Sequence, residues 1–283
     1  MVFNLIRLYF FVHFESMEFI DHIGSKVVLT KYPERIVSIV PSQTELLFDL
    51  GLKDKIVGIT RYCVEPKGLV EEVIKVGGTK KLDLQLIQTL RPDLVIANKE
   101  ENRKEDVEKI REFAPVWVSA VSNFDEALKL ILDIGEITQR SFEARNLVSK
   151  ISEKKDYFVE NIMKKGLNGS TVLYFIWRKP FMIAGSDTFI NSMLKICGLK
   201  NLASELEGVE GRYPKVETEV LKKINPDFVF LSTEPYPFCE KHLQEFQEIF
   251  PLSQIKIVRG DYFSWYGSRM VRAFDYFLEL FEI

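Results

Sequence analysis

The chain has 283 residues, of which 46% are hydrophobic and 28% charged, and its formal net charge is -3. This length exceeds that of a usual single domain and predicts two units of ordinary size. The mildly acidic balance argues against nucleic acid as a partner, because a nucleic-acid surface needs a basic face. The composition is that of a globular protein with a substantial core, and no segment indicates disorder.

The N-terminus is ambiguous as a targeting signal. Residues 1–14 (MVFNLIRLYFFVHF) contain one Arg and then an apolar run, but the run is short and no small-residue cleavage site precedes Glu15. Met17 precedes a segment that reads like the start of a folded unit. We therefore expect residues 1–16 to be either a poor export signal or an extension upstream of the true start. No other stretch is long and apolar enough to cross a membrane.

The first half of the chain has an α/β pattern in which nearly continuous apolar strands alternate with helices. Such strands are typical of a parallel sheet covered on both faces. Ser42 or Thr44 is the expected cap of the first helix, and Gly51 supplies its C-terminal turn. The predicted elements are a strand over 35–40, a helix over 45–50, a strand over 56–59, a polar loop over 60–81, a helix over 84–90 and a strand over 94–97.

The second half repeats this order. LFDLGL in the first half corresponds to LKICGL in the second, and LRPDLVIA corresponds to INPDFVFL. The repeat predicts two α/β lobes, each with parallel strands joined by helical crossovers. The predicted elements are a strand over 171–176, a loop over 177–187, a helix over 188–196 closed by Gly198, a helix over 217–224 and a strand over 228–231.

Between the halves the pattern is helical. One helix is predicted over Phe124 to Thr138 and a second over Ser141 to Lys165, where apolar residues alternate with charges. A helix of 25 residues is about 37 Å long and would act as a rigid strut that restricts lobe motion. The expected organisation is a lead-in over 1–33, an N-terminal lobe over 34–140, a connecting backbone helix over 141–166 and a C-terminal lobe over 167–283.

Several segments, in this order, resemble one branch of the periplasmic binding proteins. RIVSIVPSQTELLFDLGL, LRPDLVIA, FMIAGSDTFINSMLKICGL and YPKVETEVLKKINPDFVF, with the long connecting helix, are similar to the cobalamin and iron–siderophore branch, the helical backbone metal receptors. The resemblance covers the chain from about Pro33 to its end. It implies the class III architecture, in which two lobes are joined by one long helix.

The resemblance also implies a function. A protein of this kind would be the solute-binding component of an ABC import system and would deliver its ligand to a permease dimer. The ligand would be a metal chelate: cobalamin or a related corrinoid, a ferric siderophore, or haem. The protein would act as a monomer, without catalysis or a cofactor of its own, in the periplasm or at the cell surface. The ambiguous N-terminus leaves a cytoplasmic location open.

The family holds its ligand in the interlobe cleft, on loops that follow strand ends. This agrees with the rule that open parallel sheets bind ligands at the carboxyl ends of their strands. Aromatic side chains would stack on the chelate, and arginines would donate to its polar edges. The expected ligand-binding residues are Pro41, Ser42, Gln43, Arg61, Tyr62, Trp177, Arg178, Phe181, Tyr213, Asp261, Tyr262, Phe263, Trp265, Tyr266 and Arg269.

Two features depart from the family pattern. Lys80 and Lys81 stand near the position of a cleft tryptophan in the family, and with four nearby arginines they would suit an anionic ligand better than a largely neutral corrinoid. The resemblance also predicts transporter docking through one acidic residue on each lobe. Glu219 matches on the second lobe, whereas Gln85 on the first cannot form an ion pair, although Asp83 lies nearby. An intracellular chelate carrier or sensor, without a transporter partner, is therefore the alternative function.

Signatures of catalysis are missing from the sequence. It contains no P-loop, no GxGxxG after a strand, no HExxH and no GxSxG. Its three histidines are far apart, so any metal would arrive already chelated. Cys63 is a weak candidate metal ligand, because it is a lone cysteine in a predicted cleft loop. An enzyme that uses Cys63 or Glu65 on a bound cofactor is the third hypothesis.

Overall fold

The structure is a computed structural model and describes residues 16–283. The export signal or upstream extension predicted over residues 1–16 therefore falls almost entirely outside the described residues. The strands are β1 (Met17–Ile20), β2 (Lys26–Leu29), β3 (Ile36–Ser38), β4 (Ile56–Ile59), β5 (Gly77–Gly78), β6 (Lys81–Leu82), β7 (Leu94–Asn98), β8 (Val116–Ser119), β9 (Thr171–Trp177), β10 (Phe181–Ile183), β11 (Lys200–Asn201), β12 (Lys215–Val216), β13 (Phe228–Ser232) and β14 (Gln254–Val258). The helices are α1 (Pro41–Asp49), α2 (Leu84–Thr89), α3 (Lys104–Arg111), α4 (Phe124–Ile137), α5 (Ser141–Lys165), α6 (Phe189–Ile196), α7 (Thr218–Leu221), α8 (Leu243–Ile249), α9 (Gly260–Ser264) and α10 (Met270–Leu280).

The N-terminal lobe is built on a parallel sheet in the order β4-β3-β7-β8. Strands β3, β7 and β8 are buried along their whole length. This burial explains why the strands read as continuous apolar runs, since side chains on both faces of the sheet avoid water. The predicted parallel arrangement of this lobe is confirmed, and β8 is a strand that the sequence reading did not assign.

The C-terminal lobe has a mixed sheet. Strands β11, β9, β13 and β14 pair in parallel, whereas β10 pairs antiparallel with both β9 and β12. The loop predicted over residues 177–187 is therefore wrong in part, because it contains β10. The chain reverses at Lys179, whose φ of 62° is in the left-handed region. This turn brings Phe181–Ile183 back along the end of β9, which a local sequence pattern does not reveal.

Helix α1 begins earlier than the sequence pattern suggested. Pro41 occupies its first turn, where its missing N–H removes no helical hydrogen bond. The cap is Val40, and Thr44 Oγ1 donates to the Val40 carbonyl over 2.9 Å. The prediction of Ser42 or Thr44 as the cap, within a loop over 41–44, is therefore wrong. Gly51 follows the helix with φ of 76°, as expected for a left-handed C-terminal turn.

The connecting helix has the predicted bounds. Helix α5 spans Ser141–Lys165, and Gly166 ends it in the left-handed conformation, with φ of 73°. Its buried side chains are Ala144, Ile151, Phe158 and Ile162, which belong to one continuous core with residues of both lobes. The strut is thus part of the core. Within residues 16–283, the helices that are long enough to span a bilayer are too polar to do so.

Candidate functional site

The carboxyl ends of the two sheets meet between the lobes. Asn98 ends β7 of the first lobe, and its Nδ2 donates to the hydroxyl of Tyr266 in the second lobe over 2.7 Å. Arg212 of the second lobe likewise pairs with Glu100, two residues after β7, and its Nη1 donates to Ser122 Oγ over 3.0 Å. This is the edge at which open parallel sheets hold ligands.

Partly exposed aromatic rings surround this edge. Tyr62 follows β4 and is 55% exposed, and Trp177 ends β9 and is 39% exposed. Tyr236, which the sequence reading did not select, packs edge-on against Trp177 with ring centroids 5.7 Å apart. The other predicted aromatics that keep some exposed surface are Phe181, Tyr213, Tyr262 and Trp265. Exposed rings such as those of Tyr62 and Trp177 can stack on a flat apolar ligand, whereas Tyr262 is stacked on Tyr276 at 4.8 Å and has Arg259 over its ring at 4.4 Å.

Other predicted contacts form a buried floor between the lobes. Gln43 is fully buried and donates to Ser119 Oγ, to which Asn98 Nδ2 also donates over 2.9 Å. Burial raises the pKa of Tyr266, which remains a neutral phenol. Ser42, at 8% exposure, lies beside this floor at the start of α1. Gln43 Nε2 and the Tyr266 hydroxyl bond to protein groups, whereas Gln43 Oε1 has no hydrogen-bond partner among the described residues. All three side chains are buried in this structure, so their prediction as ligand contacts is corrected.

Phe263 is not a cleft residue. Its ring is fully buried, with centroids 4.6 Å from Phe277, 5.3 Å from Tyr174 and 5.9 Å from Phe230. The segment predicted as a loop over 259–269 contains helix α9, which turns Phe263 into the core and leaves Tyr262 partly exposed. The prediction of Phe263 as a ligand contact is therefore wrong, because helical geometry places neighbouring residues on different faces.

The arginines near the cleft are mostly neutralised. Arg178 Nε pairs with a Glu245 oxygen over 2.6 Å, and Arg212 pairs with Glu100 and, over 3.1 Å, with Asp187. Arg269 is also bound to carboxylates, so it does not face the open cleft. Among the described residues, Arg61 is the predicted cleft arginine without an ion pair. Three of the four arginines that suggested an anionic ligand are therefore paired with acids, whereas Lys80 and Lys81 form no salt bridge with a described residue.

Two further carboxylates lie at the strand ends. Glu101 is three residues after β7 and Glu234 two residues after β13, and neither forms a salt bridge with a described residue. Burial raises the pKa of both carboxyl groups, and Ser264 Oγ donates to Glu234 over 2.8 Å. The rule that ligands lie at the carboxyl ends of parallel strands could have found both, because each follows a strand of its sheet by two or three residues.

Tyr213 is a cleft phenol held in its neutral form. Burial, with the nearby negative charge of Glu100, raises its pKa to about 12, against the opposing effect of Arg212. A neutral phenol presents both a hydrogen-bond donor and a ring face to a ligand. Tyr213 therefore remains a good candidate contact, and its role stays a prediction.

Cys63 is structural. Its thiol is 1% exposed and lies 3.1 Å from Thr44 Oγ1 and 3.2 Å from Thr60 Oγ1. Burial raises the pKa of the thiol, which disfavours the thiolate that a metal or a nucleophilic reaction needs. Across residues 16–283 no three His, Cys, Asp or Glu side chains are grouped so as to hold a metal. The weak suggestion of Cys63 as a metal ligand is therefore corrected.

The expected docking positions are both accessible. Glu219 lies in the first turn of α7 and Gln85 lies on α2, and both are exposed. Asp83 caps α2 by accepting a hydrogen bond from the Leu86 N–H over 3.0 Å. One carboxylate oxygen of Asp83 is therefore already used to cap α2. Contact of these residues with a permease remains a prediction.

Two surface pockets lie away from the cleft edge. One of about 400 Å³ is lined by polar residues such as Asn168, Lys195 and Asn201, and one of about 340 Å³ includes Arg35 and Glu72. Neither is lined by an aromatic side chain. Since a chelate plane is best held between apolar rings, the aromatic edge between the lobes is the stronger candidate site.

Comparison with known proteins agrees with this geometry. The profile of a family described as periplasmic binding protein matches residues 36–252. An uncharacterised ABC transporter substrate-binding lipoprotein of Bacillus subtilis is 31% identical over 218 residues, which are 74% of this chain and 67% of that protein. A vitamin B12-binding protein of Vibrio vulnificus is 26% identical over 70% of this chain and 71% of its own.

Solved structures share the fold. A periplasmic vitamin B12-binding protein of Vibrio cholerae superposes with a TM-score of 0.75 at 20% identity, covering 89% of this chain and 97% of that one. A periplasmic haem-binding protein of Pseudomonas aeruginosa gives a TM-score of 0.73 at 19% identity, covering 88% and 92%. The two-lobed class III architecture is thereby confirmed. With the match over residues 36–252, these findings show that the chain belongs to the periplasmic binding protein family, whose members bind solutes and are not enzymes.

Proposed function

We propose that this protein is the solute-binding component of an ABC importer and captures a metal chelate between its lobes. The observation that carries the proposal is the set of partly exposed aromatic rings at the carboxyl ends of both sheets, including Tyr62, Trp177 and Tyr213. Relatives named as vitamin B12-binding and haem-binding support a chelate as the ligand class. The metal would arrive with its chelator, and the protein would contribute stacking surfaces and hydrogen bonds.

Among chelates, we favour a corrinoid such as cobalamin over haem or a ferric siderophore. Most arginines at the cleft are paired with carboxylates, and Glu101 and Glu234 add negative charge that no described cation neutralises in a salt bridge. A ligand with two free carboxylates would meet these acids, and its charge would be compensated only by Arg61, Lys80 and Lys81, which form no salt bridge with a described residue. A corrinoid presents mostly amides at its edge, which can donate to carboxylates and accept from Arg61.

A binding panel tests the proposal. Cyanocobalamin, cobinamide, haemin, a ferric hydroxamate and a ferric catecholate are each titrated into the protein, and the melting temperature is followed. A ligand at 100 times its Kd stabilises the fold by about 2.7 kcal/mol, which raises Tm by roughly 5 °C or more. We expect the corrinoids to give the largest shift. A panel in which no chelate changes Tm would refute the chelate-binding function.

Substitution of Trp177 locates the site. Trp177→Ala removes an aromatic wall, and a loss of about 1.4 kcal/mol of stacking would weaken binding about tenfold. Tyr157→Ala is the matched control, because Tyr157 is an exposed aromatic on the connecting helix, away from the strand ends. Equal affinity of both variants for the best chelate of the panel would place the ligand elsewhere.

We further propose that the protein works outside the cytoplasm and docks to a permease through Glu219. The relative from Bacillus subtilis is named a lipoprotein of an ABC transporter, which supports this location. The neutral Gln85 at the other docking position favours the second candidate, an intracellular chelate carrier of the same fold. Cell fractionation with mass spectrometry of the mature N-terminus separates the two. An unprocessed protein in the cytoplasmic fraction would favour the carrier.

A further inference from the structure

Arg269 joins the two lobes beneath the candidate cleft. It precedes α10 of the second lobe and is only 2% exposed. Its Nε donates to Glu45 Oε2 on α1 of the first lobe over 2.8 Å, and its Nη1 donates to Asp261 Oδ2 over 2.9 Å. Its Nη2 lies 3.9 Å from Glu65 Oε1, also in the first lobe. Nη2 has no hydrogen-bond partner among the described residues, but it is buried and not exposed to solvent, which corrects the prediction of Arg269 as a ligand contact.

The same guanidinium contacts the aromatic wall of the cleft. Its central carbon lies 4.9 Å from the ring centroid of Trp265 and 5.8 Å from that of Tyr262. A cation over an aromatic ring is attracted by the ring quadrupole, and the planar guanidinium stacks there better than an ammonium group. Asp261 and Trp265 therefore share one buried cation. Asp261 also pairs with Arg259 over 2.7 Å, and Tyr262 is held mainly by Arg259, at 4.4 Å from its ring centroid, and by the ring of Tyr276, at 4.8 Å.

Glu45 is the anchor on the first lobe. It is fully buried, and it pairs with both Arg269 and Arg272. Separating the partners of a buried ion pair leaves a buried charge without compensation, which is energetically costly. The pair therefore keeps α1 and the segment that carries Arg269 in one relative position. The neighbouring backbone is also close, because a Cβ on Gly267 would lie 3.5 Å from the Leu46 Cβ. The segment that carries the cleft wall is thus seated directly on α1.

We propose that Arg269 is a positioning residue, which fixes the Asp261–Trp265 wall of the cleft to the first lobe before the ligand arrives. The contacts of Arg269 are independent of the proposed binding function, whereas the effect of Arg269 on ligand affinity rests on that function. A wall that is already ordered lowers the entropic cost of binding. Arg269 therefore contributes to affinity without touching the ligand, and conformational change of this wall on binding is small.

Arg269→Lys tests this role, with Arg272→Lys as the matched control. Both arginines pair with Glu45, but Arg272 is half-exposed and contacts no aromatic residue of the cleft. Lysine keeps the charge and loses the planar fork, so Arg269→Lys cannot hold Glu45, Asp261 and Trp265 together. For cyanocobalamin and haemin as probes, we expect about tenfold weaker binding by Arg269→Lys and less than twofold change by Arg272→Lys.

Hydrogen exchange of the ligand-free protein gives the second readout. We expect the amides of residues 259–266 to exchange at least tenfold faster in Arg269→Lys than in the wild type, with β9 and β13 unchanged and Arg272→Lys like the wild type. Unchanged exchange over 259–266, or equal loss of affinity in both variants, would overturn the positioning role. If the wild type binds neither probe, the binding function is in question while exchange still decides the inference. If Arg269→Lys does not fold, Glu45→Gln is measured in its place.

Discussion

Phe158 is the side chain through which the connecting helix α5 is anchored to the C-terminal helix α10. Its ring is fully buried, and the ring centroids of Phe274 and Phe277 lie 6.0 Å and 5.7 Å away. Phe158→Ala removes the ring from between these neighbours, which cannot close the space without distorting two helices. Such truncations cost about 3–5 kcal/mol, because the lost transfer free energy adds to that of the cavity.

The free energy of unfolding is measured by urea denaturation followed by circular dichroism. A loss of this size lowers Tm by roughly 10 °C for a chain of this length. Tyr157→Ala is the control, because Tyr157 is the preceding residue on the same helix and is 58% exposed. It should change the free energy of unfolding by less than about 0.5 kcal/mol. If the two variants lose the same stability, α5 is not held in the core as the structure indicates.

Three further predictions each concern a single side chain. Burial alone would raise the pKa of Asp133, but hydrogen bonds from His22 and Lys129 lower it, so the folded-state pKa lies below the unfolded one. The resulting stabilisation is present at neutral pH and is lost as the pH falls through the folded-state pKa. Asp133→Asn should therefore destabilise the protein at pH 7, and the loss should shrink as the pH falls; a loss in urea titrations that does not change with pH would contradict this assignment. Cys239 is exposed while the other two cysteines are buried, so a thiol reagent should modify one cysteine rapidly, and Cys239→Ser should abolish that phase. Thr188 accepts a hydrogen bond from an N–H in the first turn of α6, so Thr188→Ala should cost about 1 kcal/mol in the free energy of unfolding, and an unchanged value would show that the cap is dispensable.

The position of the cleft residues along the strands could be predicted from the sequence, but the directions of their side chains could not. Tyr62 follows β4, Asn98 ends β7 and Trp177 ends β9, so these residues lie at the carboxyl ends of strands, where the rule for parallel sheets predicts a ligand site. The rule does not state which side chains remain open there. Trp177 stays partly exposed, whereas Phe263 and Arg269 turn inward, because α9 and the buried Glu45 determine their directions.

The elements that could be predicted from the sequence are those whose signals lie within consecutive residues. Helix α5 has the predicted bounds, since its apolar spacing and the closing Gly166 are local features. The parallel β3, β4 and β7 were recognisable for the same reason, as short apolar runs between turn residues. These elements, repeated in two halves, were sufficient to indicate two lobes on one backbone helix.

The ion-pair partners of the charged side chains could not be predicted from the sequence and are visible only in the folded protein. Glu45 and Arg269 are 224 positions apart in the chain, and nothing in either neighbourhood marks them as a pair. Arg212 and Glu100 are also remote in the chain, and their pairing lowers the positive charge expected at the cleft. The physical reason is that burial and ion pairing depend on which surfaces meet after the lobes fold, whereas helices and strands are favoured by their own residues.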